Sequence, residues 1–315
     1  MVQEGAGVWR NLAGLDDIGT AQLGAAFTAT DRLLLGSLGL VGIAAALCHP
    51  HPARILASLV AVAIVQAAVT TAALGSPAMR VVHDFLPFPQ IIFLFNVSGP
   101  VIAATNPLRF DGLMAAADLQ LLGPVAHAWR HLLGRPAWLV DLASIAYVSY
   151  YVVPLGIGIA LYATNRRREF EETSLAVIAT LLLTYAGYFL FPTSGPRVPV
   201  ALGASVLGGG AVSEAVRVFV AAGEMNMLDA FPSGHTALGL VSAWLGWRML
   251  PRARAVLVAA AVGIVFATVY LSYHYVVDVI AGAGLAVAIP WLVPWLRGLV
   301  GPSLQRTPRD MTYLS

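Results

Sequence analysis

The chain has 315 residues, of which 58% are hydrophobic and only 11% charged, with a mean hydropathy of +0.78 and a formal net charge of +2. Soluble domains carry about 25% charged residues, so these totals exclude a water-exposed globule and call for a bilayer. The basic residues are all arginine, and a net charge this small gives no argument for a nucleic-acid partner. A single cysteine, Cys48, excludes an internal disulfide and a cysteine metal cage.

Taken in chain order, residues 1–30 carry Glu4, Arg10, Asp16 and Asp17 and lack a basic start followed by an apolar run. They read as an interfacial or soluble segment, and no cleavable signal peptide is expected. A crossing helix needs about 20 apolar residues. Such stretches cover 33–47, 55–74, 137–163, 175–191, 255–273 and 276–300, with a shorter continuous one at 233–250. The run 91–104 is interrupted by Asn96, Ser98, Gly99 and Pro100, which predicts a re-entrant or interfacial segment. The expected fold is all-α, a polytopic transmembrane helical bundle with a six-helix core and at least one extra N-terminal span. Its parts are the spans and long loop of 31–136, a catalytic transmembrane domain over 137–300, and a cytoplasmic tail over 301–315.

Arginines in short loops mark the cytoplasmic side of a membrane. Arg166, Arg167 and Arg168, then Arg248, Arg252 and Arg254, then Arg297, Arg306 and Arg309 form three such clusters. Alternate crossing places all three on one side. The opposite ends therefore face outward, with the long loops 75–136 and 193–232, the second of which is expected to form a partly helical lid. Seven spans would put the N-terminus outside, and the turn with His49 and His51 in the cytoplasm.

Three short segments fall at the outward ends of the last four spans: Phe191 to Arg197, Phe231 to Thr236, and His274 to Asp278. His274 and Asp278 lie four apart at the start of a helix, hence on one face. The carboxylate can hold one imidazole nitrogen and leave the other free as a nucleophile; the alternative is a satisfied polar pair. Pro232-Ser233-Gly234-His235 opens a helix whose free N–H groups suit an anion. Ser233 can cap that helix and donate to a phosphoryl oxygen, Gly234 permits close approach, and His235 stands where a leaving oxygen would need a proton. An ordinary capped helix with an interfacial histidine is the competing reading. Arg197 can clamp a phosphate or meet lipid headgroups. Tyr147, Tyr150 and Tyr151 read as packed or interfacial aromatics, and Asp141, near the outer mouth of its span, as structural or as a partner for a polar headgroup.

These segments resemble the membrane-bound type-2 phosphatidic acid phosphatase superfamily, related to the vanadium haloperoxidases. The pattern is K-x-x-x-x-x-x-R-P, then P-S-G-H, then S-R-x-x-x-x-x-H-x-x-x-D. Pro232 to His235 match the second completely, and His274 with Asp278 match the end of the third. The resemblance implies that His274 attacks phosphorus, Asp278 orients it, and His235 is the general acid and later the base. Arg197, Ser233 and Gly234 would hold the phosphoryl oxygens, with no metal or organic cofactor. The substrate it implies is a phospholipid, or an isoprenoid or sphingolipid phosphate, turned over on the extracytoplasmic face of a bacterial inner membrane.

This chain departs from the pattern at Leu190 in place of Lys, Val198 in place of Pro, and Ala267-Thr268 in place of Ser-Arg. The loss is similar to the branch of inositol phosphorylceramide and sphingomyelin synthases, which pass a phospho-headgroup to a lipid alcohol. Hydrolysis and transfer share the phosphohistidine and differ in whether water or an alcohol resolves it. An intramembrane serine protease using Ser233 and His274, and a catalytically silent transporter or scaffold, are the other readings.

Overall fold

A computed structural model of the chain describes residues 26–196 and 208–300. Arg197, the rest of 197–207, most of the N-terminal segment and the tail 301–315 lie outside the described residues. Twelve α-helices run through the described part: α1 (Ala29–Cys48), α2 (Ala53–Gly75), α3 (Pro77–Phe85), α4 (Pro87–Thr105), α5 (Asp111–Leu122), α6 (Val125–Leu133), α7 (Ala137–Ala163), α8 (Arg167–Leu190), α9 (Ala211–Gly223), α10 (Gly234–Met249), α11 (Arg254–Tyr270) and α12 (Val276–Val300). Among the described residues seven helical segments are long and apolar enough to cross a membrane. The protein is an integral membrane protein with an all-α bundle fold. Its large exposed side chains, such as Leu40, Leu47, Val60, Ile64, Val256 and Trp291, are what a lipid-facing surface requires.

Between helices in lipid no hydrophobic force acts, so close packing and polar contacts hold the bundle together. α10 has 16 residues and packs on α7, α8, α11 and α12. Small residues let it come close: Gly239 lies under Ile264 of α11, and a Cβ on Gly246 would stand 2.0 Å from the Leu257 side chain. α8 joins this centre to α1 and α4, and it is the most enclosed of the seven. α2 packs mainly on α1 and α3, at the edge of the bundle.

The run 91–104 belongs to α4, which with α3 forms one 29-residue span over Pro77–Thr105. The expectation of a re-entrant segment is therefore corrected, and the polar residues that prompted it have other work. Asn96 donates to the Gly223 carbonyl at 3.0 Å and accepts from the Met225 N–H at 2.9 Å. Gly99 faces the Cα of Asn226, and Ser98 donates to the Leu94 carbonyl one turn back. These residues dock the segment after α9 onto an unbroken helix. α10, with 16 residues, is not among those seven; counted with it, the span of α3 and α4 makes an eighth crossing and reverses the N-terminal topology. α1 starts beside Phe170 and Arg297, at the end that carries the arginine clusters, and the turn with His49 and His51 lies at the opposite end.

A polar network ties this N-terminal unit to α8. Thr28 and Asp31 form a capping box at the start of α1. The Asp31 carboxylate also accepts from Gln66 of α2 at 2.9 Å and faces His83 of α3 at 3.0 Å. The other ring nitrogen of His83 is 3.0 Å from Asp84, which pairs with Arg167 at 2.8 Å. Asp31, Gln66 and His83 are all buried, and a charge buried in a bundle is held only where such partners surround it.

Candidate active site

The site is built where chain segments meet at the end of the bundle away from the arginine clusters. Ser233 caps α10 by accepting from the Thr236 N–H at 3.2 Å, and its own N–H donates to the Asp278 carbonyl at 2.9 Å. That bond joins the second segment to the third. Thr193 joins the first to the second: its carbonyl accepts from the Ala230 N–H at 2.9 Å, and its hydroxyl from the Phe231 N–H at 3.1 Å. Gly195 has φ +74°, and a Cβ there would stand 2.5 Å from the Tyr273 carbonyl, so the first segment can lie on the third only with glycine at this position. Gly282 of α12 plays the matching part, with the Ser233 carbonyl 2.4 Å from where its Cβ would be.

This packing brings His235 and His274 together. Their ring centres are 5.8 Å apart and both residues are buried. His274 Nδ1 lies 2.9 Å from the Ala230 carbonyl and 3.5 Å from Asp278 Oδ2. A carbonyl only accepts, so Nδ1 carries the proton and Nε2 holds the lone pair. The carboxylate expected to orient His274 is thus the more distant of two acceptors. Asp278 Oδ2 accepts instead from the Tyr275 N–H at 2.8 Å, at the start of α12, while the side chain remains fully buried beside the imidazole.

His235 is flanked by aromatic rings from α7. Tyr147 and Tyr150 stack on it at 4.1 and 4.0 Å between ring centres, and Tyr147 also stacks on Tyr273 at 4.2 Å. Tyr151 donates to Glu224 at 2.5 Å. An apolar groove of about 520 Å³ lies between α7 and α9, lined by Val148, Tyr151, Val152, Val212, Val216 and Phe219. α9 supplies the helical part expected of the second long loop. Asp141 accepts from the N–H groups of Gly210 and Ser213 at 2.9 Å each and so caps α9, the structural role expected of it.

The acidic residues of α5 close the site from beyond the membrane spans. Asp111 accepts from the N–H groups of Ser194 and Gly195, both at 2.9 Å, and Asp118 accepts from the Val277 N–H at 2.8 Å. The Tyr275 phenol is pushed up to about 12, by burial first and then by the nearby carboxylates of Asp111, Asp278 and Asp118. Among the described residues no group of three or more His, Cys, Asp or Glu is arranged to hold a metal. The arrangement can present a nucleophilic imidazole nitrogen, a second imidazole across from it, and the N-terminal N–H groups of α10 to one anionic centre.

The sequence profile of the PAP2 superfamily matches residues 113–292, more than half of the chain and all of the site just described except Asp111. The chain belongs to the PAP2 superfamily. Two curated relatives of this superfamily member are partial matches. A phosphoinositol dihydroceramide synthase from Bacteroides thetaiotaomicron is 26% identical over 166 residues, covering 48% of this chain and 53% of that protein. A PA-phosphatase related-family protein from Dictyostelium discoideum is 30% identical over 162 residues, covering 45% of this chain and 29% of its own length. The chain therefore spans about half the length of the first and less than a third of the second. No solved structure matches it.

Sequence reasoning named Ser233, Gly234, His235, His274 and Asp278, and the structure gathers them at one end of the bundle. It missed the Ala230 carbonyl, which carries no side-chain signal. It also missed the contact of Tyr147 and Tyr150 with His235, although their spacing of three on one helix was legible as a shared face.

Proposed function

We propose that this PAP2-superfamily protein is a membrane phosphotransferase that moves a phosphorylated headgroup from a phospholipid to a lipid alcohol through a phosphohistidine on His274. The observation that carries the reading is the pairing of the two buried imidazoles, 5.8 Å apart, across the capped start of α10. In the first step Nε2 of His274 attacks phosphorus as the bond to the leaving oxygen breaks, and His235 delivers a proton to that oxygen. In the second the alcohol attacks phosphorus, its proton passes to His235, and the N–P bond breaks. The Ala230 carbonyl and Asp278 hold the Nδ1–H side of His274 throughout, and Ser233 and Gly234 with the α10 N–H groups would hold the phosphoryl oxygens.

Transfer is favoured over hydrolysis by the synthase named among the relatives, and the apolar groove between α7 and α9 suits an acyl chain. The lipid is read as a phospholipid, an isoprenoid phosphate or a sphingolipid, met on the extracytoplasmic leaflet of a bacterial plasma membrane. The test is purified enzyme given a headgroup-labelled phospholipid with and without lipid alcohols. Label is expected in a new lipid that depends on the alcohol, and His274→Ala should abolish it while His51→Ala does not. Release of label into water at a rate indifferent to the alcohol would make the protein a hydrolase. Undiminished turnover by His274→Ala would refute the phosphohistidine.

A further inference from the structure

The phosphotransfer reading leaves a deficit of charge. The transition state spreads negative charge over three phosphoryl oxygens and needs compensation close by. Positions 190 and 268, where the superfamily pattern has cations, hold a leucine and a threonine. The Thr268 side chain is fully buried, with its hydroxyl on the Val265 carbonyl at 2.7 Å. Its own carbonyl accepts from the N–H groups of Tyr273 and His274, so this position now shapes the turn that bears the nucleophile.

A cation reaches the same turn from another element. α6 packs on α11 through the stack of Trp129 on Phe266, 5.5 Å between ring centres, and through the Tyr270 hydroxyl, which donates to the Gly134 carbonyl at 2.9 Å. From this helix the Arg130 guanidinium donates through Nη1 to the hydroxyl of Ser272. Ser272 is buried, sits at φ +62°, and lies two residues before His274. Arg130 Nε is buried without an acceptor, and among the described residues no carboxylate pairs with this arginine. Burial, and then the like charge of Arg135, pull its pKa below the usual arginine value. A partly buried cation beside another cation, with no counter-ion, is unfavourable unless an anion joins it. Of the other described arginines at this end, Arg109 is exposed and donates to backbone carbonyls, Arg217 pairs with Glu214, and Arg135 stands beside Arg130.

We propose that Arg130 is a phosphate-binding residue of this site, a cation delivered in space by α6 to the turn of His274 in place of those absent from positions 190 and 268. Ser272 positions the guanidinium, and the anion it awaits is the phosphoryl group of the lipid substrate. The inference rests on the phosphotransfer reading, and the experiment separates the two.

Full-length protein in lipid nanodiscs is tested for headgroup transfer and for binding of orthovanadate, a mimic of the phosphoryl transition state. Removing one such donor is worth about 100-fold in rate or more. Arg130→Gln is therefore expected to lower kcat/KM about 100-fold and to weaken vanadate binding at least tenfold. Arg130→Lys should stay within about tenfold of the parent on both readouts, and Arg109→Gln should match the parent. Should the glutamine variant fail to fold, the lysine variant decides: vanadate binding kept supports the charge, and binding lost with an unchanged melting temperature overturns it. Turnover and vanadate affinity within twofold of the parent in Arg130→Gln, with His274→Ala inactive, would sink the role of Arg130 alone. An active His274→Ala would sink the phosphotransfer reading itself.

Discussion

Asp278→Asn isolates what the buried carboxylate adds to a nucleophile that is already oriented. The Ala230 carbonyl at 2.9 Å holds the Nδ1 proton, and an asparagine can still accept from the Tyr275 N–H, so tautomer and helix cap both survive the change. What is lost is a negative charge 3.5 Å from Nδ1. As Nε2 bonds to phosphorus the ring becomes cationic, and that charge is felt at the carboxylate. A full unit charge at this distance is worth about 5 kcal/mol at an effective dielectric constant of about 20. With roughly half the charge developed in the transition state, the loss is about 2–3 kcal/mol, or about 30- to 160-fold in kcat. The assay is steady-state headgroup transfer across substrate concentration, with kcat falling and KM little changed, because the interaction grows only as the reaction proceeds. An Asp278→Asn enzyme as inactive as His274→Ala would refute the reasoning, since the carbonyl would then not suffice to orient the ring. Activity within twofold of the parent would refute it from the other side.

Two further outcomes follow from the packing. Stacking of an aromatic pair contributes about 0.5–1.5 kcal/mol, so Tyr150→Ala is expected to lower turnover roughly three- to tenfold by loosening His235, with Tyr150→Phe near the parent; equal losses in both would assign the effect to the hydroxyl. His83→Leu leaves Asp31 and Asp84 without their shared partner inside the bundle and should cost about 3–5 kcal/mol of stability, read as a lower melting temperature in detergent, while kcat of the folded fraction is unchanged because the network lies at the opposite end from His274.

The environment, the helical class and the side-chain chemistry were legible in the residues alone, because each depends on local properties. A run of apolar residues long enough for a bilayer is a helix whatever its neighbours, since lipid offers its backbone no other hydrogen-bond partners. Ser233, His235, His274 and Asp278 stand in short motifs whose spacing sets a cap or a helix face directly, and alternate crossing puts them at one end. The reading of 91–104 failed for a related reason: polar residues in an apolar run look like a break until the segment that satisfies them, more than 100 residues away, is in place.

What only the tertiary structure decided is which distant groups share a space. The Ala230 carbonyl on His274, the tyrosines of α7 on His235, Asp111 and Asp118 holding the segments at Ser194 and Val277, and Arg130 reaching Ser272 are contacts between elements separated by tens to more than a hundred residues. No periodicity encodes such contacts, because they depend on how closely helices approach, and that was set here by small residues such as Gly195, Gly246 and Gly282. Sequence determined the environment, the helical class and the motif residues that share one end of the bundle; packing determined which acceptor faces Nδ1 of His274 and which guanidinium reaches Ser272.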